Sequence, residues 1–149
     1  MAAAAVVVLA LTIPRGQPAI SPSQAADQLR AHTTDLVDLP FAGVGEFPDA
    51  TGRVIWSDAG QQGFMTLGGI SANNPSKAQY QLWIVDPSRD ADSPVDGGVF
   101  DIPAGSGKVV VPIQAKLAVH RPQAFLITLE QPGGVVKSKR EKPVALAKL

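Results

Sequence analysis

The residues able to do chemistry are few and scattered. The chain of 149 residues has no cysteine and two histidines, His32 and His120. Without thiols there is no thiol nucleophile, no disulfide and no cysteine-based zinc site. Neither histidine lies in a catalytic or metal-binding pattern, so both read as surface or helix-end residues. Four aspartates, Asp86, Asp90, Asp92 and Asp96, crowd one segment, DPSRDADSPVD. Calcium favours such clustered carboxylate oxygens. Counted from Asp90, however, Pro94 takes the third ligand position, Val95 the obligatory glycine and Asp101 the closing glutamate. That match fails, and the segment reads as a solvated loop. Ala104-Gly105-Ser106-Gly107-Lys108 has the look of a phosphate-binding loop. Yet Ile102 stands where the first glycine belongs, and Val109 where serine or threonine must follow the lysine. A hairpin turn is the expectation there. No Gly-x-Ser-x-Gly elbow is present. The ends of the predicted strands carry glycine, proline and alanine instead of the polar groups that line a cleft. The reading is a non-enzyme with no catalytic residue, metal or cofactor.

Composition narrows the partners. Thirteen basic residues balance thirteen acidic ones, which argues against a nucleic-acid binder held by phosphate contacts. The balance is a cancellation. Asp101 to Leu149 holds eight bases and three acids, whereas the first hundred residues are net acidic. Much of the basic excess lies in Lys137-Ser138-Lys139-Arg140-Glu141-Lys142. Such a loop meets an anionic envelope polymer or lipid headgroups, or else stands as a solvated hairpin.

The elements that must position these residues follow from periodicity. Fourteen glycines and thirteen prolines punctuate the chain more often than in an average domain, which favours a turn-rich all-β body. Ser21, Pro22 and Gln24 form a helix-start signal. With Ala25, Leu29 and Leu36 at helical spacing, a short amphipathic helix is predicted from about Pro22 to Val37, ended before Pro40. Phe41 to Gly52 reads as a loop. From there the period is two. Strands are predicted at Val54–Trp56, Gly63–Ile70, Ala78–Val85, Gly98–Ile102, Lys108–Ile113, Ala124–Glu130 and Lys142–Ala147. Ala78–Val85 is apolar on both faces in its second half, as in a central strand, and Pro112 marks an edge. Trp56, Tyr80 and Trp83 are expected in the core. About seven short strands with turns between them predict an antiparallel, Ig-like β-sandwich.

The first thirteen residues, MAAAAVVVLALTI, form an apolar run that stops at Pro14-Arg15. A membrane span needs ~20 apolar residues. Three readings stand: part of a transmembrane helix whose first half lies upstream of Met1, an atypical signal or anchor, and a buried N-terminal helix. The chain thus divides into an apolar helical segment (1–13), a linker, helix and loop (14–52), and the β domain (53–149).

One family is similar in residue order and spacing. Ile55-Trp56-Ser57, Gly68-Gly69-Ile70 and Tyr80-Gln81-Leu82-Trp83 come first. Gly97-Gly98-Val99-Phe100, the strand Ala124-Phe125-Leu126-Ile127-Thr128-Leu129-Glu130, the turn Pro132-Gly133-Gly134 and Pro143-Val144-Ala145-Leu146 follow. Together they resemble the C-terminal, extracytoplasmic domain of the anti-sigma-K factor family, over Arg53 to Leu149. Trp56, Tyr80, Leu82, Trp83, Gly98, Phe100, Phe125, Thr128, Leu129, Glu130, Gly133 and Gly134 are its signature positions here.

The resemblance implies a bacterial single-pass plasma-membrane protein with its β-sandwich outside the cytoplasm. A cytoplasmic domain would hold an extracytoplasmic-function sigma factor away from RNA polymerase, and the outer domain would shield the protein from regulated proteolysis or receive a signal. No cytoplasmic sigma-binding domain is found in this sequence, so a sigma factor would be bound only through that missing part. The apolar run would supply membrane attachment, and an envelope protease or partner protein would meet the outer domain. The basic Lys137–Lys142 segment departs from the Pro/Thr/Gly-rich turn more usual in the family. The alternative is a secreted or anchored β-sandwich module for a cell-envelope ligand.

Overall fold

Ser21 opens the first element by accepting the Gln24 amide on its hydroxyl, while the Gln24 side chain accepts the Ser21 amide at 2.9 Å. This reciprocal cap starts helix α1, Pro22–His32, with proline where its missing N–H costs nothing. The computed structural model describes residues 19–149. The 1–13 apolar segment, with all three readings of it, lies outside the described residues, as does most of the linker. Among the described residues no helix is long and apolar enough to cross a membrane.

Eight strands follow: β1 Leu36–Gly43, β2 Thr51–Ser57, β3 Gln62–Gly68, β4 Gln79–Val85, β5 Val95–Phe100, β6 Val109–Pro112, β7 Ala124–Glu130 and β8 Pro143–Lys148. All seven predicted strands are present, with ends shifted by a few residues. The helix was expected to reach Val37 but ends at His32, and β1 replaces its last turn and the start of the expected loop. Two forces explain the difference. The Asp35 carboxylate accepts the Ser57 hydroxyl (2.9 Å) and the Ala59 amide (2.8 Å), which pulls the chain out of the helix. Beyond it Val37, Leu39 and Phe41 alternate inward to the core. Pro40 is tolerated because β8 pairs with β1 only at Ala42 and Gly43, so no ladder bond on that side needs its N–H.

The strand also changes the architecture. The strands are antiparallel throughout and join in one sheet, ordered β5-β4-β7-β8-β1-β2-β3-β6. The Ig-like sandwich of two sheets is therefore corrected to a single, barrel-like sheet. β1 is the reason, since it lies between β8 and β2 and splices what would otherwise be two sheets. The residues after β6 extend its pairing with β3 and then reach the far end of the sheet at β5. The Ile113 amide donates to Gly63 of β3 (2.9 Å), and the amides of Gln114 and Lys116 donate to Gly97 and Asp96 of β5 (2.8 and 2.9 Å). One apolar core fills the interior, with Trp56, Met65, Leu67, Tyr80, Leu82, Ile84, Phe125 and Ile127 fully buried. A second cluster lies outside the wall, where Ala25, Ala26 and Leu29 of α1 cover Ile55 and Phe64.

Phe41 is the buried aromatic residue of β1. Phe41→Ala is expected to lower unfolding free energy by about 3–5 kcal/mol in urea titrations followed by tryptophan fluorescence. A loss below about 0.5 kcal/mol, the scale of an ordinary surface change, would contradict β1 as a core strand.

Candidate functional site

The signature positions divide between the two faces of the wall. Trp56, Tyr80, Leu82 and Phe125 lie in the interior core, with Phe100 and Leu129 packed against it. Tyr80 stacks on Phe100 (centroids 5.8 Å apart) and meets Phe47 edge-on. Its hydroxyl donates to the Ser71 carbonyl at 2.8 Å, and burial pushes its pKa up. Gly98 has φ +110° opposite Leu82, where the β4–β5 register shifts.

The outer face holds the rest. Gln79, Gln81 and Trp83 alternate with the inward residues of β4, and Thr128 and Glu130 stand opposite on β7. The connection from β7 to β8, residues 131–142, folds back across this face. The Gly133 amide donates to the Gln79 side chain (2.8 Å). The Gln81 side chain accepts the Val135 amide (2.9 Å) and donates to the Val135 carbonyl (3.0 Å). One buried glutamine thus supplies the two bonds of a strand step. Trp83 Nε1 donates to Thr128 Oγ1 (2.9 Å), and Thr128 Oγ1 donates to Glu130 Oε1 (2.7 Å). Ser138 Oγ donates to the same Glu130 oxygen. The chain of bonds runs from a tryptophan 2% exposed to the strap itself. Gly134 explains its own identity: with φ +74°, a Cβ there would lie 2.6 Å from Val99 and 2.7 Å from Gln81 Oε1. The basic segment is consequently the outer half of a strap fastened at Gly133, Val135, Ser138 and Arg140, the last through Nη2 to the Ala91 carbonyl (3.2 Å).

The opposite loop, after β6, is held in the same way. Val119 is fully buried in the core, and Gln61 clamps it by accepting its amide (2.9 Å) and donating to its carbonyl (2.7 Å). Asp58 accepts both Trp56 Nε1 (2.8 Å) and the Arg121 amide. Asp86 accepts the Ser88 hydroxyl and amide and the His120 amide, with Arg89 at 3.8 Å. Burial alone would raise the Asp86 pKa, but the Ser88 hydroxyl, the two amides and the guanidinium outweigh it and hold it low. Asp35 is likewise held low by the Ala59 amide and the Ser57 hydroxyl.

The aspartate segment proves to be structural at both ends. Asp86 is engaged as above, and Asp96 Oδ1 accepts the Gly98 amide. Among the described residues no group of three or more histidines and carboxylates is placed to hold a metal. His32 bonds the Gln28 carbonyl at the end of α1, and the backbone of His120 serves the loop. What the sequence reading missed was the pair of glutamine clamps. A polar residue at each site is visible in the sequence, but its partners lie 58 and 54 positions away.

Such a domain is a braced antiparallel shell, its buried polar groups committed to holding loops. The chain belongs to the anti-sigma-K factor rskA C-terminal family, whose model matches residues 1–143. That match begins well before Arg53, where the resemblance had been placed, and takes in only Pro143 of β8. Membership makes the chain a domain of an anti-sigma factor, and the partner this implies is a sigma factor. No match was found among curated proteins or solved structures.

Two outcomes test the bracing. Gln81→Leu leaves both polar groups of Val135 unpaired, so stability should fall by about 1–3 kcal/mol, with faster amide exchange at Val135. Because Asp35 and Asp86 have lowered pKa values when folded, their stabilisation is present above the ordinary carboxylate range and is lost as pH falls through the lowered values. Unfolding free energy should therefore drop below about pH 4, and Asp86→Asn should flatten that slope.

Proposed function

We propose that this chain is the non-catalytic outer domain of an anti-sigma factor, acting by shielding. In this reading it stands outside the bacterial plasma membrane, tethered by the apolar run. It controls the release of an extracytoplasmic-function sigma factor bound by a cytoplasmic part of the protein. The family match supports the anti-sigma role. A non-catalytic role is favoured by the use made of the buried polar side chains. Ser57, Gln81, Asp86 and Thr128 each brace a loop or a neighbouring strand.

The observation that carries the mechanism is the docking of α1 on the barrel wall. The chain enters α1 at the capped Ser21, and the apolar side of that helix rests on Ile55 and Phe64. A protease that takes an extended strand into its cleft needs several free residues in a row. While the wall is folded, the chain beyond Ser21 is helical and anchored. When the wall unfolds or a partner displaces the helix, the segment lengthens into a usable substrate.

Trp83→Ala tests this in a protein carrying its cytoplasmic part. Truncating this buried side chain should cost about 3–5 kcal/mol, and cleavage near residues 14–22 should accelerate in step with unfolding. Equal cleavage of folded and unfolded variants would overturn the shielding role.

A further inference from the structure

Four lysines face one cleft of ≈ 390 Å³ between the strap and the end of β7. Lys137, Lys139 and Lys142 come from the strap, and Lys77 from the turn before β4. Leu129 and Val135 give the cleft an apolar part, and Glu130 and Glu141 also border it. Among the described residues the ion pairs within 4.0 Å are Arg30–Asp27, Arg53–Asp38 and Arg89–Asp86, so none of these lysines is paired. Glu130 is already engaged by Thr128 and Ser138. Four ammonium groups and two carboxylates leave a formal surplus of two positive charges in one concavity.

We propose that this cleft binds a dianionic phosphate group. Four features carry the assignment. The frame is built before any ligand arrives, because the Gln81–Val135 clamp and the Ser138–Glu130 bond fix the strap, and the Lys77 turn is fixed by its own amide bond to Asn74 (2.9 Å). The surplus charge equals that of a phosphate monoester, which carries about two negative charges at neutral pH. Lysine suits such a ligand as a compact cation with three donors, and a walled cleft strengthens its field over that of a flat surface. The volume falls within the usual range of small-molecule sites and leaves room for a group attached to the phosphate. The site stands apart from the shielding role: binding and cleavage protection are read on different variants, and either can fail alone.

The test is calorimetric titration of the 149-residue chain at low salt with inorganic phosphate and, separately, glycerol 3-phosphate. One saturable site is expected, weakened by added sodium chloride. Equal affinity for the two probes assigns the site to free phosphate, and tighter binding of glycerol 3-phosphate assigns it to a phosphate monoester carrying an organic group. The double variant Lys137→Gln/Lys139→Gln should keep its thermal midpoint and lose affinity by about tenfold or more, as expected for lost charge-assisted bonds. Lys108→Gln/Lys148→Gln makes the same charge change outside the cleft and should bind as before. Absence of saturation, or equal loss in both double variants, would overturn the site.

Discussion

Every edge strand exposes a row of backbone donors and acceptors, and disposing of those two rows governs the rest of this fold. The chain meets one of them with the short segment after β6, which bonds β5 through Gln114 and Lys116 while Ile113 prolongs the β6–β3 ladder. Closure on that side requires continuity on the other. β1 provides it by pairing along its length with β2 and at its end with β8. Once the wall is continuous, its inner side becomes one apolar core. The outer side must then be covered wherever sequence places large apolar groups there. Helix α1 covers Ile55 and Phe64, and the strap crosses the face that carries Trp83.

The bracing of loops follows one chemical pattern. A nearly closed wall leaves few strand partners free, so the crossing loops have little ladder to join. Side chains stand in for it. Gln61 and Gln81 each present a donor and an acceptor in the geometry of a peptide group, while Asp35, Asp58 and Asp86 collect stray amides. A buried polar group is stabilising only when satisfied, and among the described residues no buried side-chain nitrogen or oxygen lacks a partner.

Seven strands were legible because their alternation is local. The capped start of α1 was legible for the same reason, as Ser21, Pro22 and Gln24 are neighbours. β1 was hidden by Pro40, which ordinarily argues against a strand and here falls where β8 has not yet begun to pair. The single sheet was hidden with it. The strap was read as a hairpin, since nothing in KSKREK points to Gln81 or Glu130. Long-range satisfaction of polar groups leaves no periodic trace. The family resemblance was visible from Trp56 onward because its distinctive residues are aromatic and glycine positions of the wall. The part before Arg53 lacks such markers, although the family extends through it.

The pairing of β1 with β8 has a consequence in time. Ala42 meets Leu146, and Gly43 meets Ala145. A chain made from its N-terminus has Phe41, Val54 and Trp56 in hand long before the strand that completes their wall exists. Non-local pairing of this kind is slow to form. Each newly made molecule therefore passes through an interval in which its early strands wait for its last residues. During that interval the apolar side of the early strands stands exposed to other chains.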